Sequence, residues 1–299
     1  MLQAAAAAAG GQDYPLGALY VVATPIGNLA DLSLRAVHVL SLVDVVACED
    51  TRHTSGLLQS LGLSKPLLAL HQHNEREAAA GVVARLARGE RVAYVSDAGT
   101  PAVSDPGAVL VAAATQAGYR CVPVPGASSV AAALSVAGDS GGNGFIFLGF
   151  PPARGQARAR WLDTVAACEA TQVLLEAPHR IEDLAGILCS ACAARRVTIG
   201  RELTKQFETV ATMAAADLPG WLRADPNRLR GEFVLVIHAL ATAPGTTEIA
   251  ADDALLQTLL AELPLKQAVA LAAKLSSSSR NAFYERALAL KAQQPTKDQ

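Results

Sequence analysis

Aromatic residues are scarce in this 299-residue chain, at 4%, and an excess of one charge sign is missing: 25 Lys and Arg stand against 27 Asp and Glu, a formal net charge of −2. That balance excludes a polybasic body or tail that would hold nucleic acid through bulk electrostatics, so any RNA contact must come from local clusters. Five cysteines without the spacing of a secreted scaffold exclude a disulfide framework and suit a reducing cytoplasm. Cys189 and Cys192 are the only close pair. They lie in an alanine-rich helical stretch with no second pair or histidine beside it, which favours burial over zinc, and no metal site is expected. The start, MLQAAAAAAGGQDYPLG, has no basic residue ahead of its alanines, so it reads as a disordered extension over residues 1–17 rather than a secretory signal. A membrane span needs about 20 strongly apolar residues. The longest uncharged stretch, 121–138, contains Pro123, Pro125 and Gly126 and is rich in small residues, so no membrane association is expected.

What is present is alternation. Short apolar runs at 19–24, 44–48, 67–70, 91–96 and 120–124 read as strands, with helical patterns around 33–42, 54–61, 74–88, 105–117 and 127–137. This order implies an α/β layer with a mostly parallel sheet over residues 18–138. The glycine-rich breaker at 138–144 marks a boundary. A second α/β domain is expected over 139–240, with strands at 145–149, 173–176, 197–202, 207–212 and 232–239 in a mixed sheet and helices at 155–169 and 180–193. A linker, ATAPGTTE, then leads into a helical tail, residues 241–299, with patterns at 251–262, 265–275 and 280–292. The last two, joined by Ser276–Ser279, read either as a helix-turn-helix or as an ordinary helical hairpin.

In open α/β sheets ligands collect beyond the carboxyl ends of the strands. The first strand runs into Thr24-Pro25-Ile26-Gly27-Asn28, which is neither G-x-G-x-x-G nor a P-loop. The second runs into Glu49-Asp50-Thr51-Arg52-His53, the fourth into residues 96–106, SDAGTPAVSDP, and the fifth into Pro125-Gly126-Ala127-Ser128-Ser129. Each alone reads equally as a turn or a helix cap. Four on one rim of one sheet point to a ligand site. Gly99, Thr100 and Pro101 let backbone approach a ligand, and Asp97 offers a carboxylate to an amino group or a ribose hydroxyl. The loops at 24–28, 96–106 and 125–129 hold no lysine or arginine to neutralise phosphates. A zwitterion bearing a ribose and no phosphate fits, and S-adenosylmethionine is such a molecule.

The segments LYVVATPIGNLADLSLRA, VACEDTRHT, HQHNE, VSDAGTPAVSDPG, VPVPGASS, EAPHR, RELTKQFE and GEFVLVI, in this order from about Leu19 to Ala239, resemble the small-subunit ribosomal RNA methyltransferase I family of the tetrapyrrole-methylase superfamily. The resemblance implies a two-domain tetrapyrrole-methylase-like α/β fold with a C-terminal helical tail. S-adenosyl-L-methionine would lie in the cleft between the domains of a cytoplasmic homodimer. The activity implied is 2′-O-methylation of a cytidine in the decoding centre of 16S ribosomal RNA, with the assembled small subunit as substrate. Two alternatives stand beside it, a tetrapyrrole C-methyltransferase of the corrin and sirohaem pathways and an inactive ribosome-binding factor. The sequence departs from the family pattern at Ala102, where glycine is usual, at Ala127, where proline is usual, and after Thr209.

Cofactor contacts are expected from Thr24, Pro25, Gly27, Asp97, Ala98, Gly99, Thr100, Ser104, Ser128 and Ser129. Removing the proton of a ribose hydroxyl calls for a base or an electrostatic aid. Lys205, Glu49 and Asp50 are the catalytic candidates, within a wider polar set that includes Glu176 and Glu202. Lys205 would need a pKa depressed by burial or by nearby Arg201, and it reads equally as a salt-bridged lysine. RNA contacts are expected from Arg52, His53, Arg154, Arg158, Arg160, His179, Arg180 and Arg201. Of these, Arg52 and Arg180 read equally as partners of carboxylates, and the arginines beside Trp161 as a solvated helix face.

Overall fold

A computed structural model of the chain describes residues 1–71, 74–142, 144–240, 246–276 and 279–292. They fall into two compact units, Met1–Ala239 and Leu240–Gln299. The first unit begins with a helix, α1 (Leu2–Ala9), where a disordered extension is expected. Alanine is the strongest helix former, and its small side chain lets two helices approach closely. Ala5 is fully buried in the core shared with the second helix, and the Tyr14 hydroxyl donates to the Ala9 carbonyl at 2.9 Å.

The chain then alternates: β1 (Ala18–Val22), α2 (Leu34–Leu42), β2 (Val45–Cys48), α3 (Thr51–Ser60), β3 (Leu67–Ala69), α4 (Glu75–Ala87), β4 (Val92–Val95), α5 (Ala108–Gln116), β5 (Arg120–Val124) and α6 (Ser129–Ala137). The five strands form a sheet in the order β3-β2-β4-β1-β5, and every pairing is parallel. The central strands are buried almost throughout, as a sheet covered on both faces requires, and successive residues turn to opposite faces. Tyr20, Val22, Val46, Cys48, Ala93 and Val95 face α1, α2 and α3. Leu19, Val45, Ala47, Val92 and Tyr94 face α4 and α5. Because β1 sends its helix to one face and β4 to the other, the order reverses between these two neighbours.

The rest of the unit holds β6 (Phe145–Gly149), α7 (Gly155–Ala167), β7 (Thr171–Glu176), α8 (Ile181–Cys192), β8 (Arg196–Arg201), β9 (Thr209–Ala214), α9 (Leu218–Arg223) and β10 (Phe233–Ile237). The second sheet runs β6-β7-β10-β8-β9 and is mixed: only β6 and β7 are parallel. Strand β9 starts two residues later than the sequence suggests, and α9 lies in a stretch with no expected element. One face packs on α7, α8 and α9 through Leu174, Val197, Ile199 and Leu235. The other face carries Val173, Val234 and Val236. It is covered by Val130, Ala133 and Ala137 of α6, with Ile26 of the first turn packed alongside. The helix that closes the first half is thus the lid on the second sheet, which brings the loops of the first half onto it.

The second unit consists of α10 (Thr246–Glu262), α11 (Leu265–Leu275) and α12 (Arg280–Ala292), packed through Leu256, Val269, Ala272, Phe283 and Ala287. Most of the expected linker, and the centre of the serine turn between α11 and α12, lie outside the described residues. Among the described residues no helix is long and apolar enough to cross a membrane.

Candidate active site

The crevice lies where the sheet order reverses, at the carboxyl ends of β1 and β4, the expected place for a ligand in such a sheet. Thr24 and Gly99 form an isolated bridge there, each amide donating to the other's carbonyl at 2.9 and 3.0 Å. The Thr24 hydroxyl donates to the Ser96 carbonyl at 3.1 Å and the Thr100 hydroxyl to that of Ala127 at 3.2 Å. Three loops far apart in sequence are therefore one connected surface. It forms one wall of a cavity of about 360 Å³, within the usual range of small-molecule sites.

Of the expected cofactor contacts, Ala98, Gly99, Thr100, Ser104, Ser128 and Ser129 line this cavity, together with Ile26, Val103 and Asp105. Ser128 is at once wall and helix cap, accepting from the Ala131 amide at 3.4 Å. Thr24, Pro25, Gly27 and Asp97 do not line it. Thr24 is buried in the bridge, and Asp97 accepts from the Asp50 amide at 3.2 Å, so these two shape the wall from behind. The opposite wall comes from the second sheet, with Phe147, Phe150, Leu175, Leu203, Phe233 and Val234, none of which the sequence singles out. Among the described residues no lysine or arginine lines either wall, while Glu176 and Glu232 join the apolar residues of the second. A cavity with hydroxyls and backbone on one side, mostly apolar residues and two carboxylates on the other and no cation suits a nucleoside-like ligand without phosphates.

The loop at 96–106 is held in a costly shape. Ala102 and Ser104 have φ of 65° and 64°, a left-handed conformation that an L side chain resists by about 1–2 kcal/mol. The position where the family favours glycine is thus one whose backbone favours it. The far end of the loop is fastened by the Tyr94 hydroxyl, which donates to the Pro106 carbonyl at 2.6 Å, and by Glu75, which accepts from the Gly107 amide at 2.8 Å. Gly107 has φ of 123° and leaves no room for a side chain, since a Cβ would lie 2.2 Å from the Tyr94 ring. Between the fastened points, burial and then the charges of Glu49 and Asp97 push the Asp105 carboxyl up to about 6. Burial, then Asp97, also raises Glu49.

The charged candidates separate by burial. Lys205 lays its aliphatic stem across Gly27, where a Cβ would meet its Cγ at 2.4 Å, and its Nζ donates to Glu202 at 2.9 Å and Glu232 at 3.0 Å. Burial works to lower its pKa, but the two carboxylates outweigh it and the net shift is upward. The depression that a lysine base requires is absent. Asp50 caps α3 and pairs with Arg52, which draws its carboxyl far down. Arg52 is 90% exposed in that pair, and His53, His179, Arg154 and Arg160 are exposed as well.

Three expected RNA contacts hold the fold instead. Arg158 is buried, with its guanidinium on Asp183 at 2.6 Å and on the Pro152 carbonyl at 2.8 Å. Arg201 is buried and donates to the carbonyls of Arg230 and Phe207. Arg180 binds the Pro151 carbonyl and lies 3.2 Å from Glu176, a buried residue that belongs to the lining of the cavity. Their partners lie mostly outside their own helix or strand, so sequence spacing gives no sign of them. The half-buried thiols of Cys189 and Cys192 turn to backbone carbonyls, those of Ala216 and Leu188.

Residues 18–219 match the family described as tetrapyrrole (corrin/porphyrin) methylases, and residues 246–291 match a model described as the RsmI C-terminal HTH domain. A Pseudomonas aeruginosa protein named ribosomal RNA small subunit methyltransferase I is 46% identical over 91% of this chain and 97% of its own length. Proteins of the same name from Escherichia coli O157:H7 and Neisseria meningitidis serogroup B are 43% and 45% identical, each over 92% of this chain, and over 96% and 94% of their own lengths. Among solved structures, uroporphyrin-III C-methyltransferase from Thermus thermophilus has a TM-score of 0.52 at 23% identity, over 74% of this chain and 94% of its own. Cobalt precorrin-4 methyltransferase has 0.54 at 20%, over 75% and 98%. At that identity the solved structures speak for the fold alone.

Proposed function

Because this chain belongs to the ribosomal RNA small subunit methyltransferase I family, within the tetrapyrrole methylases, we propose that it methylates small-subunit ribosomal RNA, and specifically the ribose 2′-hydroxyl of a cytidine in the decoding centre of 16S RNA. The methyl donor is S-adenosylmethionine, the substrate is the assembled subunit, and the working form is a cytoplasmic homodimer. The observation that carries the reading is the cavity at the sheet's point of reversal, hydroxyl-lined on one wall, mostly apolar with Glu176 and Glu232 on the other, and without a cation among the described residues.

When bound, S-adenosylmethionine supplies an electrophilic methyl group. The chain's own residues orient the reactants and manage the proton. Thr100, Ser104, Ser128 and Ser129, with Phe147, Leu175 and Val234 opposite them, would hold the donor. Glu49, whose carboxyl is pushed up by burial and by Asp97, suits the role of proton acceptor better than Lys205, which its two carboxylates keep charged. Lys205 instead serves as a fixed cation near the TPIGN turn. Asp50 positions Glu49 by capping the helix that follows it. His53, Arg154, Arg160 and His179 are exposed to meet phosphates, as is Arg52 beside its partner Asp50.

Methyl transfer from labelled S-adenosylmethionine to three acceptors tests the reading: unmodified small subunits, protein-free 16S RNA and uroporphyrinogen. The expected result is label in a cytidine 2′-O-methyl group, faster on subunits than on free RNA at matched salt. Transfer to the macrocycle alone, or cofactor binding with no transfer to any acceptor, overturns it.

A further inference from the structure

Phe150 combines two properties. It lines the cavity, yet it is 53% exposed, and Val103, also in the lining, is 41% exposed. The backbone that presents it is fixed. A bulge ends β6 between Phe147 and Gly149, and such irregularities re-aim the next side chain. Pro151 and Pro152 follow, and the carbonyl of each is gripped by a guanidinium, Pro151 by Arg180 and Pro152 by Arg158. Those arginines are themselves anchored on Glu176 and Asp183. One buried and one half-buried arginine thus hold the backbone that carries an aromatic ring to the rim.

The chemistry around the ring selects its partner. From Phe150 to Leu162 there is no acidic residue, while Arg154 and Arg160 are exposed. A half-exposed aromatic face beside free cations fits a polyanion that carries rings. Proteins that act on RNA outside a helix commonly stack an unpaired base on such a residue.

We propose that Phe150 is a substrate-positioning residue, stacking against the base of the nucleotide to be methylated while Arg154 meets its backbone. The inference rests on the RNA methyltransferase reading. It assigns the cavity's rim to the RNA and its interior to the methyl donor.

The test compares wild type with Phe150→Ala, Phe150→Leu and Phe150→Trp. Two quantities are read: KM for small subunits, and affinity for S-adenosylhomocysteine by calorimetry without RNA. Phe150→Ala raises KM by roughly 5–100-fold, the range for losing one base stack. Its cofactor affinity stays within about twofold of wild type. Phe150→Leu behaves like Ala, because it keeps apolar area but lacks a π face, and Phe150→Trp retains or improves binding. The inference is overturned if Leu works as well as Phe, since contact area alone then suffices. It is overturned also if S-adenosylhomocysteine affinity falls while KM holds, because the ring then serves the cofactor. A change in sedimentation instead of KM makes the site a subunit contact and refutes it equally. If wild type transfers no methyl group to subunits, the functional reading itself fails, which is a separate result.

Discussion

Asp105 offers a test of the site that needs no substrate. Its carboxyl lies in the cavity wall with an ordinary pKa of 3.8 pushed up to about 6, chiefly by burial and then by Glu49 and Asp97. In the native state it therefore holds its proton to higher pH than in the unfolded chain. Below pH 3.8 both states are protonated and the group contributes nothing. Between 3.8 and 6 the unfolded chain has lost the proton and the native state has not, so stability falls as pH rises. Above 6 the native state carries the whole cost of a charge in a poor environment. A shift of about two units is worth up to roughly 3 kcal/mol, and partial solvation reduces that to about 1–1.5 kcal/mol. Asp105→Asn keeps the shape and removes the charge. It should stabilise the protein by about 1–1.5 kcal/mol at pH 8, with the gain shrinking steadily toward pH 4.5. Urea unfolding of both proteins across that range reads the difference directly. Parallel pH profiles, or a substitution that destabilises at pH 8, would refute the environment assigned to this carboxyl.

Glycine-to-alanine changes of opposite sign test the backbone at the end of that loop and within α4. Gly107→Ala should cost about 3 kcal/mol or more, through its positive φ and its collision with the buried Tyr94 ring. Gly81→Ala, in open space within α4, should gain about 1 kcal/mol from helix propensity; equal melting temperatures for the two would refute the packing. At Ala102, glycine should be neutral to about 1 kcal/mol stabilising and valine at least about 1 kcal/mol destabilising, because the left-handed backbone penalises a branched side chain. Denaturant midpoints in the reverse order would contradict that geometry. The arginines of α7 should divide. Arg154→Ala with Arg160→Ala flattens the salt slope of RNA binding by up to about two units without loss of stability. Arg158→Ala lowers stability by about 1–2 kcal/mol, having lost Asp183 and the Pro152 carbonyl; a stable Arg158 variant with weakened RNA binding would return that residue to the interface.

The alternation of strands and helices, the mixed second sheet and the loops of the first wall could be read from the residues, because short apolar runs and helix periodicity are local signals and the placing of loops beyond strand ends follows from topology. Ser128, Thr100 and Gly99 were legible for that reason. The helix over residues 2–9 was not, since six alanines carry no pattern until Ala5 finds a partner in α2. Nor was the second wall of the cavity. Phe147, Leu175 and Val234 read as ordinary core strand residues, and they become wall because α6 carries the loops of the first sheet onto their face. Charge was the least legible. Arg154 precedes α7 as its N-cap and Arg158 follows four residues on within the helix, yet one is exposed and the other lies against Asp183, 25 residues on. Sequence by itself determined which elements form and where their loops gather, through propensity and period. Which charges are free, which carboxyl holds its proton and which ring stands at the rim depend on burial and on partners distant in the chain, and only the tertiary structure decided them.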